Sequence, residues 1–306
     1  MPTSTMTELR PFAPGRQVVT REVGGRVRRF TVQMPSRAEG EALPVVVVLH
    51  GAGASGSLYL DRNGWAEKAE RERFIAVAPD GLPAAPDLPM SFDKNPRVWN
   101  TGQLRPDSPR ARIDDVAFID QMLDEVARRA SIDSQRVYLA GHSNGAGMAF
   151  RLATERSERF AALAAVASHC WVRDPKPRRP IPTLYLVGTE DPIVPLAGGD
   201  VVMPWGGTQT KPAVALTLFT WAQALGCATE PTTLSNHDGV RIEHYRPGPG
   251  GAALTAYFLE GHGHGWPGGA GEELPARFLG PSNPHLRGTD IIWGFFRRQS
   301  RVAPAA

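Results

Sequence analysis

Hydrophobic and polar positions alternate along this chain in two periods, and the switches between them mark out its elements. In residues 26–33 (RVRRFTVQ) apolar and polar positions alternate, as in a half-buried strand. Residues 44–49 (PVVVVL) contain no polar side chain, and a short β-branched run of this kind fits a strand covered on both faces of a parallel sheet. Residues 59–73 then read as a helix, and residues 74–78 as a second buried strand ending at Pro79-Asp80-Gly81. Within residues 113–130, Val116, Ile119, Leu123 and Val126 recur every three or four positions, which places them on one helical face. Residues 136–140 form the next strand, followed by a helix of small residues that runs to Glu155.

Further along, residues 160–167, 183–187, 241–245 and 253–259 read as strands, and residues 212–225 and 290–298 as helices. Residues 82–111, rich in Pro, Asp, Asn and Arg, have no period, and a loop of that length in a compact domain is functional or mobile. Strand and helix otherwise alternate with no internal repeat and no linker. The pattern predicts one doubly wound α/β domain over residues 16–306, with a mostly parallel sheet and helices on both faces, after a loose lead-in over residues 1–15.

Composition adds limits. The 306 residues are 42% hydrophobic and 21% charged, ordinary for a chain that buries a core, and the net charge of +3 comes from scattered Arg and Lys. That balance points away from nucleic acid or an anionic membrane as partner. The densest basic stretch, Lys176 to Arg179 in DPKPRRP, is broken by prolines and reads as a solvated turn. Cys170 and Cys227 are too few for a disulfide framework or a cysteine-rich zinc site, and leave open one bridge or two free thiols. No apolar run approaches the roughly 20 residues of a membrane span. The first residues lack the apolar core of a signal peptide, so the expectation is a cytoplasmic protein, or a secreted one whose leader has been removed. Oligomeric state is not legible.

The candidate chemistry lies between the strand at residues 136–140 and the helix after it, where Gly141-His142-Ser143-Asn144-Gly145 fits G-x-S-x-G. A serine hydroxyl is a poor nucleophile until a base takes its proton, and it must project from the backbone. A sharp strand-to-helix turn does this, and the glycines on either side leave room for it. On this architecture an acid and then a histidine should follow in chain order. Asp191, with Glu190 beside it as the alternative, stands just past a buried strand in LYLVGTEDPIVP, at the carboxyl edge where parallel sheets bind ligands. LEGHGHGWPGG offers His262 or His264 as the base. A metal reading of this His-x-His pair lacks the third and fourth ligands it would need, so no metal is expected. Backbone N–H groups must also meet the oxyanion of an acyl-transfer intermediate. Asn144, at the positive end of its helix, and Ala52, in the His50-Gly51-Ala52 turn, are the candidates. His142 is expected to pack or shape the pocket.

Read in order, LHGAG, PDG, WN, DDVAF, GHSNGAGM, GTEDPIVP and GHGHGWPGG resemble the α/β-hydrolase esterases related to poly(3-hydroxybutyrate) depolymerases and to feruloyl and acetyl xylan esterases. The likeness covers residues 26–296. It implies that Ser143, Asp191 and His264 form a catalytic triad, with His264 two residues before Trp266-Pro267. His262 stands where the family usually has glycine, which implies a loop or supporting role. Asp115 matches a position that implies a positioning or structural carboxylate. The resemblance further implies a serine carboxylesterase for small or oligomeric esters, with acetyl, feruloyl or short hydroxyalkanoate acyl groups and no cofactor. Secreted members carry a leader and more cysteines than this chain, which points away from extracellular polymer degradation. A thioesterase or peptidase on the same triad, or a non-catalytic binding protein of this fold, are the alternatives. Trp99, Trp171 and Trp266 are candidate substrate contacts, with Trp205 in an insertion.

Overall fold

A computed structural model of the chain describes residues 10–36, 40–104, 107–270 and 274–301. It begins with a hairpin of β1 (Gly15–Val23) and β2 (Arg26–Met34), followed by the buried strand β3 (Leu43–Leu49). Two short helices, α1 (Gly56–Arg62) and α2 (Trp65–Glu72), lead into β4 (Ile75–Pro79). The long loop carries a two-residue ladder between β5 (Leu82–Pro83) and β6 (Arg97–Val98). Then come α3 (Asp115–Arg129), β7 (Ile132–His142), α4 (Asn144–Glu155), β8 (Ala162–Val166) and β9 (Thr183–Gly188). A separate hairpin, β10 (Gly199–Val202) and β11 (Thr208–Lys211), precedes α5 (Val214–Ala224). The chain closes with β12 (Thr232–His237), β13 (Val240–Tyr245), β14 (Leu254–Leu259), α6 (Ala276–Leu279) and α7 (Gly288–Phe296).

Ten strands form one sheet in the order β1-β2-β4-β3-β7-β8-β9-β14-β13-β12. From β4 to β14 neighbours are parallel, and an antiparallel pair flanks each side. The unbroken apolar run of β3 is explained by what covers it. Val45, Val47 and Leu49 enter a core with Ile119 of α3, Leu152 of α4 and Trp221 of α5. Val46 and Val48 enter a second core with Leu60 of α1, Ala69 of α2 and Phe296 of α7. Helices therefore cover both faces, and each buried Val or Leu contributes roughly 1.5–3 kcal/mol. This is the α/β-hydrolase architecture.

Several local expectations change. The helix expected over residues 59–73 is two, because Gly64 takes φ 69°, a left-handed conformation that ends one helix and lets Trp65 start the next. β1, β12 and the β10–β11 hairpin were not expected from periodicity. β12 reads TTLSNH and is almost wholly exposed, so its pairing with β13 holds it rather than a buried face. Of the lead-in, residues 1–9 lie outside the described residues. Phe12, however, is buried under the Arg129 guanidinium at 3.9 Å and donates its backbone N–H to Arg129 at 3.0 Å, so packing starts before residue 15. Cys170 and Cys227 are both free thiols, and burial pushes that of Cys170 up to about 12. Among the described residues no helix is long and apolar enough to cross a membrane.

The long loop is tied down by one buried carboxylate. Asp115, first residue of α3, accepts from Arg28 at 2.8 Å on Oδ1, and from Arg110 at 2.5 Å and the Asn100 N–H at 2.8 Å on Oδ2. All three charged side chains are almost fully buried. Burial pulls the Arg28 guanidinium below its ordinary range, and the Asp115 charge opposes that. Removing the carboxylate would leave two guanidiniums inside without a counter-ion. Asp115→Ala is expected to cost about 3–5 kcal/mol in urea unfolding, and a loss below 1 kcal/mol would contradict this account.

Candidate active site

Ser143 sits between the last residue of β7 and the first of α4, at φ 50° and ψ −123°. A side-chain residue in this region costs on the order of 1–3 kcal/mol, so its neighbours must over-determine it. They do so through the backbone. The Ser143 N–H donates to Val166 of β8 at 2.9 Å, and its carbonyl accepts from Ala146 and Gly147 at 3.0 and 3.1 Å. Gly145 lies so close to the turn after β3 that a Cβ there would stand 2.3 Å from the Leu49 carbonyl oxygen. The same packing sets the Gly51 backbone against the Ser143 side chain. Ala52, Ser143 and Asn144 thus line one cavity. The Asn144 N–H opens α4, where an N–H has no partner within the helix.

His264 follows β14, and Asp191 follows β9. His264 Nδ1 lies 2.9 and 3.1 Å from the two Asp191 oxygens, and Nε2 lies 2.9 Å from Ser143 Oγ. The tautomer that satisfies both sides carries its proton on Nδ1, donates it to Asp191, and accepts from the serine hydroxyl. Asp191 Oδ1 also accepts the Ile193 and Val194 N–H groups, both at 2.8 Å. Burial disfavours the Asp191 charge, but the His264 charge, its hydrogen bond and these two N–H donors outweigh it. The carboxyl is held below the ordinary range. Glu190, the sequence alternative, makes no such contact; its N–H donates to the His262 carbonyl at 2.9 Å.

The loop carrying His264 is fastened on several sides. His142 Nε2 donates to the His264 carbonyl at 2.7 Å, and the His264 N–H donates to Leu279 at 2.5 Å. His262 uses both ring nitrogens on backbone: Nε2 donates to Gly265 at 2.9 Å, and Nδ1 accepts from Asn283 at 3.2 Å. The two histidines therefore do not converge on a common point. Gly263 between them passes so near the chain at α6 that a Cβ would meet the Leu279 oxygen at 1.9 Å.

The cavity measures about 360 Å³, and its lining includes Leu58, Phe92, Trp171, Met203 and Trp205 besides the polar groups above. Trp99 lines it while 1% exposed, because its indole N–H donates to His50 at 3.0 Å and its ring packs on His50. Trp266 corrects an expectation. It does not line the cavity; it packs edge-on to Tyr59, Trp65 and His142, with its indole N–H on Thr289 at 3.1 Å.

Some contacts at the site carried no sequence signal. The Asn144 amide, of which only the backbone was expected to matter, accepts from the Trp99 N–H at 2.6 Å and so joins the long loop to the serine turn. His50 Nε2 accepts from Gly81 at 2.9 Å, holding PDG to HGAG, and burial keeps this ring below its ordinary range. Lys211 and His169 reach the cavity from distant segments, and no short motif could have joined them.

The signature of the phospholipase/carboxylesterase family matches residues 30–208. A putative esterase, NocK, from Nocardia uniformis subsp. tsuyamanensis is 30% identical over 95% of this chain and 86% of its own length. Feruloyl esterase B from Piromyces equi is 28% identical over 78% of this chain, which spans only 42% of that protein. An acetyl xylan esterase from Aspergillus awamori shares the fold, with a TM-score of 0.59 at 16% identity over 92% of this chain and 99% of its own.

The strain at residue 143 has a measurable consequence. Ser143→Gly should relieve it and Ser143→Ala should not. The glycine variant is expected to be more stable than the alanine variant by about 1 kcal/mol in denaturant unfolding, after the entropic cost of glycine. Equal or reversed stabilities would show that the turn is unstrained.

Proposed function

The chain belongs to the phospholipase/carboxylesterase family and is a carboxylic ester hydrolase, and from that premise we propose that it works as a serine esterase at the Ser143 cavity. The observation that supports this best is the continuous hydrogen-bonded line from Ser143 Oγ through His264 to Asp191. Ser143 Oγ attacks the ester carbonyl while His264 Nε2 takes its proton. Asp191, kept ionised by its donors, holds the ring and stabilises the imidazolium. The oxyanion forms beside the Asn144 and Ala52 N–H groups. His264 then protonates the departing alcohol, leaving an acyl-Ser143 ester. A water that gives its proton to His264 hydrolyses this ester and frees the acid.

The reading extends to substrate class. Aromatic and aliphatic side chains with a few polar groups, in a cavity of about 360 Å³, suit acetyl, feruloyl or short hydroxyalkanoate esters. The name of the Piromyces relative supports the feruloyl member of that set. His262 acts through the loop, as a positioning residue.

Ser143→Ala and His264→Ala are each expected to lower kcat on a short acyl ester by about 10⁴-fold or more, and Asp191→Asn by about 10⁴-fold. His262→Ala should lose far less than His264→Ala. A fluorophosphonate should label Ser143, read as a modified peptide by mass spectrometry. Unchanged hydrolysis by Ser143→Ala would end the proposal, and faster turnover of a thioester than of its ester would change the bond assigned.

A further inference from the structure

One stretch of the cavity wall is charged in a way that hydrolysis of a neutral ester does not need. Lys211, the last residue of β11, is buried there and 8% exposed. Its Nζ donates to Gln209 Oε1 at 2.5 Å and lies 5.2 Å from the Trp171 ring centroid. Among the described residues no carboxylate forms an ion pair with it. His169, 1% exposed, stands edge-on to Trp171 with centroids 5.2 Å apart. Its Nδ1 lies 3.0 Å from Thr217 Oγ1, and its Nε2 is buried without a hydrogen-bond partner in the protein.

We propose that Lys211 and His169 form a carboxylate-recognition subsite, so that the preferred ester carries a second, free carboxylate. The inference rests on the serine-esterase reading of the same cavity.

Charge supports it first. Arg62, Lys94 and Lys211 line the cavity, and among the described residues its lining includes no Asp or Glu. A lysine with no counter-ion ordinarily keeps its ammonium in water and buries only its stem. Here burial pulls the ammonium down to about 8, opposed among the described residues by the charge of Asp191, whose oxygens already serve His264, Ile193 and Val194. A bound carboxylate would supply the missing counter-ion and form a charge-assisted hydrogen bond.

His169 adds a second donor. Burial, and then the nearby Lys211 charge, pull its ring down to about 4, so it is neutral at pH 7. The Thr217 hydroxyl can donate to Nδ1, and in that tautomer the ring proton is on Nε2, the atom without a partner, free to donate to a ligand. Trp171, packed against both residues, gives the body of the ligand an apolar surface. Lys211 is thus a specificity residue, reading charge away from the scissile bond.

The carboxylate could belong to the acyl or to the alcohol half, and matched ester pairs separate these. Monoethyl glutarate is compared with the ester in which an isopropyl group replaces its carboxylate. Para-acetoxybenzoate is compared with para-isopropylphenyl acetate. At pH 7 the charged member of at least one pair is expected to have about tenfold or greater advantage in kcat/KM, expressed mainly in KM. Lys211→Met and Lys211→Gln should each bring that ratio close to one. Two variants guard against a folding defect in either, and both are checked by thermal unfolding.

No charge preference in either pair, or a preference that survives in folded Lys211→Met and Lys211→Gln, would overturn the subsite. Turnover of the neutral esters with no such preference would strike the subsite alone. Absence of all ester turnover, with Ser143 unlabelled by fluorophosphonate, would instead strike the serine-esterase reading. A hydrolysis-independent arm uses Ser143→Ala protein, where glutarate (acyl half) or para-hydroxybenzoate (alcohol half), whichever matches the ester pair that shows the preference, should raise Tm, and should fail to do so once Lys211→Met is added. No rise with either acid in Ser143→Ala would count against the subsite.

Discussion

Two stretches of backbone touch at the floor of the cavity, and the rest of the site depends on how closely they do so. β3 and β7 run parallel with Leu49 opposite Gly141, so both strands end at the same edge of the sheet. Immediately beyond, the turn at residues 143–145 rests on the Leu49 and His50 carbonyls, with room at residue 145 for a hydrogen and nothing larger. That approach sets the Gly51 backbone against Ser143, and Ala52 and Asn144 line the same cavity. The unfavourable backbone of Ser143, on the order of 1–3 kcal/mol, persists because β7 is held between β3 and β8 and cannot relax alone.

Around this contact the charged groups divide by how they are satisfied. A buried ion left unpaired costs several kcal/mol, which decides each case. Asp191 meets two backbone N–H groups and an imidazole, enough to keep it ionised despite burial. Asp115 meets two guanidiniums and a backbone N–H. Among the described residues Lys211 meets a neutral amide oxygen and the face of an indole, neither of which cancels its charge. The first two are complete within the protein. The third is the group that a ligand would complete.

The long loop belongs to this arrangement too. Asp115 takes the Asn100 N–H, Asn144 takes the Trp99 N–H, and Arg151 donates to the Asn100 carbonyl at 2.8 Å. Residues 99 and 100 are thereby tied to the starts of α3 and α4 together. A period-free stretch carries no buried stripe that could hold it, so its order comes from polar contacts with elements on either side.

The sequence by itself determined the strands with continuous apolar runs, the amphipathic helices and the α/β class, because burial of one or both faces writes itself into local periodicity. It also determined which residues were candidates for the chemistry: Ser143 from its glycine-flanked turn, Asp191 and His264 from strand ends and the family motifs. Edge elements such as β12 escaped it, since an exposed strand held by a neighbour's hydrogen bonds needs no apolar pattern. The tertiary structure alone decided the rest. It put Ser143, Asp191 and His264 within hydrogen-bond reach, withdrew Trp266 from the cavity into packing behind His142, and gave the Asn144 amide a task. It also set Lys211 beside His169 and Trp171. These outcomes depend on contacts between segments tens of residues apart, and such contacts arise from sheet order and chain crossings, which no local spacing encodes.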